Sequence, residues 1–166
     1  RFLLPFFMFY IVLTLLSLEN FFFWDAIQLG SQQGQWFYDH KFKYFFLPAE
    51  FDSGHPPFFG FYLALIWSCF GKSLAVSHLA LLPFLLGIVV QVFLILKQFF
   101  QRDFLVYPMV LLLADPTLLA QDVMVSPDVI LVFFFLLSLN CILSAQRKLL
   151  IFALIVLAMI SMRGMM

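Results

Sequence analysis

The chain has 166 residues, 64% of them hydrophobic and only 11% charged, with nine basic and nine acidic side chains cancelling to zero net charge and a mean hydropathy of +1.06. A soluble domain is about one-quarter charged. The composition therefore excludes an ordinary soluble enzyme and points to an all-α, polytopic membrane helical bundle. Cys69 and Cys141 stand in apolar surroundings without metal-ligand spacing, so no disulfide frame or zinc site is expected.

Residues 2–18 form an apolar run of the length needed for a minimal spanning helix, about 17 residues. The run is too long and too aromatic for a signal-peptide core, and no small-residue cleavage site follows, so it reads as a retained anchor. A polar, acid-bearing stretch from Asp25 to Pro57 comes next. Its aromatic clusters at 36–38 and 44–46 suit the headgroup level, and short helices lying along the membrane surface are expected there.

Segment 57–70 has only fourteen residues, the range of a re-entrant or interfacial helix. Four further apolar stretches, 74–96, 104–120, 127–145 and 149–162, are read as crossing, the last two near the minimum length. With 57–70 not crossing, Lys97, Arg102, Arg147 and Lys148 fall on the inner side, as the positive-inside rule prefers. Eight of the nine carboxylates then lie outside, in a first loop at about 19–73 and a second at about 115–128. With 57–70 crossing, Asp25 and Asp128 would sit on opposite faces. We take the first arrangement, which gives five crossings and two acidic loops facing each other.

Asp25 follows Trp24 at the outer end of the first helix. There a carboxylate is either a solvated helix flank or a general base aimed at an acceptor. Asp122 and Asp128 belong to a second cluster, and Asp128, just after Ser126-Pro127, equally suits the first-turn acid that a helix dipole favours. Carboxylates brought together from the two loops could bracket a sugar or coordinate a divalent cation. His55 precedes Pro56-Pro57. With Lys41, Lys43, Lys72 and His78 expected on the same face, it could hold a lipid-linked phosphate. No phosphate-binding glycine loop, zinc-ligand pair or nucleophile elbow occurs.

Trp24-Asp25, the polar loop, Gly54-His55-Pro56-Pro57-Phe58-Phe59, Phe70-Gly71-Lys72-Ser73 and Ser126-Pro127-Asp128 together resemble the N-terminal half of a GT-C type membrane glycosyltransferase. The likeness is to the dolichyl-phosphate-mannose protein mannosyltransferase group that includes bacterial aminoarabinose transferases, and it covers nearly the whole chain. It implies transfer of a sugar from a polyprenyl-phosphate donor to a protein, lipid or glycan acceptor at the outer face of a bacterial inner membrane, with membrane lipids but no nucleic acid as partners. Asp25 would be the base, Asp128 the second acid with Asp122 as its companion, and His55 a neighbour of the donor phosphate. The chain departs from the group at His78, where an arginine is usual, and at Ala26, where a second acid is common.

Arg1 and the apolar run ending at Met166 read as cuts in a longer product, and residues 1–166 are expected to lack turnover on their own. Two other readings are open. A transporter or flippase would carry polar residues in mid-helix, where only Gln91 and Asn140 stand. A non-catalytic membrane assembly protein would depend on no single carboxylate.

Overall fold

A computed structural model describes residues 2–160 apart from Asp25 and Phe45. Eight α-helices and no strand occur among the described residues: α1 (Leu4–Leu16), α2 (Gln33–Asp39), α3 (Phe58–Phe70), α4 (Leu74–Leu96), α5 (Val106–Leu113), α6 (Pro116–Asp122), α7 (Pro127–Leu143) and α8 (Arg147–Ile160). A π-helical turn, Ile27–Gln32, runs straight into α2, and a 3₁₀ turn, Arg102–Phe104, precedes α5.

The helix starts follow from local chemistry. Ser73 caps α4 by accepting from the Val76 N–H, Asp115 caps α6 by accepting from Thr117 and Leu118, and Ser126 caps α7 by accepting from Asp128. Pro116 and Pro127 occupy first-turn positions where the absent N–H costs nothing.

Side-chain contacts set the helix directions. On α4 and α7 the Phe84 ring meets Phe133 and Phe134, and seven residues further along both helices Asn140 Nδ2 donates to Gln91 Oε1 at 2.9 Å. The two helices therefore run parallel. α1 is antiparallel to α4: Phe2 meets Phe93 at one end, and the Asn20 carbonyl meets His78 Nε2 at 3.0 Å near the other. Tyr10 donates to the Leu113 carbonyl at 2.7 Å and joins α1 to α5. The core is apolar and aromatic, with Leu63, Trp67, Leu85, Ile88, Val129, Ile130 and Ala153 buried.

Asn20, Ser73, Val123 and Asp128 consequently share one end of the bundle, and Lys97, Arg102 and Arg147 share the other. α3 enters and leaves at the first end. His55, before it, lines a cavity with Ser126 and Asp128, while Ser73, after it, starts α4. α3 lies under α2, where an added Cβ on Gly60 would sit 2.6 Å from Gln33 Cβ and 2.9 Å from the Gly34 nitrogen. Only glycine permits that approach.

Among the described residues α4 alone is long and apolar enough to cross a membrane by itself. The expected continuous span 104–120 is instead broken, with Arg102–Leu113 and Pro116–Asp122 meeting at 64° and qualifying only as a bent pair. The break comes from Asp115, whose backbone leaves the helical region (φ −58°, ψ 126°) to cap the next helix. α1 and α3 each have thirteen residues and α7 seventeen. At about 1.5 Å per residue all three fall short of the roughly 30 Å hydrocarbon core.

Candidate functional site

A cavity of about 260 Å³ opens at the end where α4 and α7 begin. Three remote stretches of chain build it: Trp24, Ala26 and Leu29 from the first loop, His55 from the entry to α3, and Gln121, Met124 and Ser126–Asp128 from the turn between α6 and α7. Asn20 closes the two loops together by donating from Nδ2 to the Val123 carbonyl at 3.0 Å.

Asp128 sits half-buried in the first turn of α7, its position set by the Ser126 cap at 3.2 Å. The helix N-terminus behind it favours negative charge there. His55 is held by a compact turn. Asp52 Oδ1 accepts from Gly54 N–H at 2.8 Å, Ser53 Oγ accepts from His55 N–H at 3.4 Å, and Gly54 takes φ 72°, in the left-handed region. Gln33 anchors that turn, donating from Nε2 to the Phe51 carbonyl and to Ser53 Oγ, both at 3.1 Å. Buried under the loop, Gln33 is a positioning residue that the polar look of the stretch around it concealed. Its one sequence signal is that Gly34, beside it, and Gly60, opposite it, mark a close crossing.

Asp25 lies outside the described residues. Its chain neighbours Trp24 and Ala26 both line the cavity, and Trp24 has φ 50°.

The structure separates the other candidates. Asp122 is 3% exposed, and neither carboxyl oxygen has a hydrogen-bond partner among the described residues. Burial pushes its pKa from 3.8 up to about 7. It follows Gln121 in the chain but does not line the cavity. His78 is also buried, with Nε2 bonded to the Asn20 carbonyl, a structural tie between the first loop and α4.

Lys41 and Lys43 are exposed beyond α2, and Lys43 lies over the Tyr44 ring at 5.5 Å. Lys72 lines a separate hollow with Ser31, Ser73 and Ser77, its ammonium over Trp67 at 5.4 Å. Of the expected donor-phosphate group, only His55 reaches the cavity. Among the described residues no group of three or more His, Cys, Asp or Glu side chains is placed to hold a metal ion.

The arrangement offers an acid and an imidazole facing a space large enough for part of a polar ligand, bordered by aromatic and apolar walls. No protein-family model, curated protein or solved structure matches the chain.

Proposed function

We propose that this chain belongs to a polytopic membrane glycosyltransferase that moves a sugar from a polyprenyl-phosphate donor to an acceptor on the non-cytoplasmic face, with five crossings and α3 as a re-entrant helix. The observation that carries the reading is the convergence of His55 and Asp128 with Trp24 and Ala26, the neighbours of Asp25, on one cavity. An acid and an imidazole contributed by separate loops, beside the chain neighbours of Asp25, suit an acceptor hydroxyl that must lose a proton while a phosphate leaves.

Membrane immersion is supported by the outer surfaces of α1, α5 and α8. There Leu4, Met8, Val12, Leu15, Leu111, Ile151 and Ile155 are all exposed, and large exposed apolar surfaces mark contact with a membrane or a partner. The charges support the orientation. Lys97, Arg102, Arg147 and Lys148 gather at the end opposite the cavity, where the cytoplasm would be.

In the complete gene product reconstituted with a polyprenyl-phosphate sugar, Asp25→Asn lowers transfer by about the 10²–10⁴-fold that a positioned base contributes, whereas insertion is unchanged. Near-normal transfer by that variant removes the base assignment. A second reading, a proton-coupled flippase, is favoured by one observation: Asp122 is a buried acid without a hydrogen-bond partner among the described residues, the kind of group that marks proton relays. Asp122→Asn abolishing lipid movement, with no sugar transfer in the wild type, selects it.

A further inference from the structure

α5 packs on α4, whereas α6, turned through 64° at Asp115, packs on the start of α7. The turn leaves a groove of about 640 Å³ between α5 and α7. Its floor is Ile88 and Val92 of α4, and its walls are Leu112 of α5 and Val132 of α7. At the end nearest α6 the lining becomes polar, with Asp115, Gln121 and Asp128. Gln121 and Asp128 also line the cavity that contains His55, so the groove and the cavity share a wall.

We infer that this groove seats the hydrocarbon chain of a lipid acceptor whose head carries hydroxyl groups and no phosphate, presented past Gln121 and Asp128 to the cavity. The inference rests on the transferase reading and narrows its acceptor to a lipid. Two features select the occupant. The lining grades from apolar to polar along its length, as an amphiphile standing in a bilayer does. The polar end carries two acidic side chains and no basic one, so an anionic head is repelled, whereas hydroxyl groups find the Gln121 amide and a carboxyl to bond.

The test uses the complete protein in nanodiscs with two mid-chain photoreactive probes, octadecanol and octadecyl phosphate, and maps the labelled residues by mass spectrometry. The alcohol labels Leu112, Val132 and Leu136 in excess over Ile151 and Ile155 on the exposed face of α8, and the phosphate shows no such excess. Val132→Trp, which fills the groove, abolishes the excess. Equal labelling of α8 by the alcohol means ordinary boundary lipid and overturns the inference. A larger excess with the phosphate assigns the groove to an anionic lipid, and protection from both probes assigns it to another helix; either result also overturns it. The comparison of the two probes on unmodified protein stands even if Val132→Trp fails to fold. Labelling needs no turnover: excess labelling without any sugar transfer defeats the transferase reading and leaves the groove assignment in place, whereas transfer without excess labelling does the reverse.

Discussion

Asp122 and Asp128 stand six positions apart in one acidic stretch, yet the fold puts them in opposite situations. Asp128 stands at the start of α7, half-buried, on the wall of the cavity. Asp122 ends α6 inside the protein, where burial alone pushes its carboxyl up to about 7. The difference arises at Ser126 and Pro127. They start a new helix and turn the chain outward, whereas Asp122 ends α6 facing inward, next to the bond from Asn20 to Val123. Acids that look alike in sequence thus divide into one on the wall of the cavity and one buried away from it.

The sharpest way to break this comparison is to measure transfer. Asp128→Asn in the complete protein impairs sugar transfer while costing no more than about 1 kcal/mol of helix-dipole stabilisation, and Asp122→Asn leaves transfer within a small factor of wild type. Equal losses in the two variants would dissolve the distinction.

A second measurement concerns stability. The Asp122 carboxyl ionises near 3.8 in the unfolded chain and near 7 in the fold. Between those values the folded protein keeps a proton that the unfolded chain has released, so stability falls as pH rises from about 4 to about 7 and is level above it. At about 1.4 kcal/mol per unit the loss is of order 4 kcal/mol. Asp122→Asn flattens that slope in thermal melts in detergent between pH 4 and pH 8, and an unaltered slope would place the titrating group elsewhere.

The remaining variants probe the frame of the cavity. Gly60→Ala forces the new methyl onto Gln33 and Gly34 and destabilises the protein by about 1–3 kcal/mol, read as a lower melting temperature together with weakened transfer, because Gln33 holds the turn that carries His55. Ser126→Ala removes the α7 cap at about 1 kcal/mol. It shifts melting slightly and, by loosening Asp128, lowers transfer more than stability. Asp103→Asn, exposed at the opposite end of the bundle, is silent in both assays.

Sequence alone determined what depends on neighbours along the chain. The apolar stretches mark α3, α4, α7 and α8 but run unbroken through α5 and α6, and the starts of α4 and α7 are legible in Ser73 and Ser126-Pro127, because a cap bonds to backbone two or three residues away. Apolar length, by contrast, misleads. Residues 2–18 read as longer than 57–70, yet α1 and α3 both have thirteen residues. What distinguishes them is that the chain enters and leaves α3 at one end of the bundle. The tertiary structure alone decided the burial of Asp122, the tie from Gln33 to Ser53 and the structural use of His78. Each depends on groups far apart in the chain, up to 103 residues for Asn20 and Val123, and such pairings leave no local pattern, since they are selected by how the helices pack and not by what any short stretch of sequence prefers.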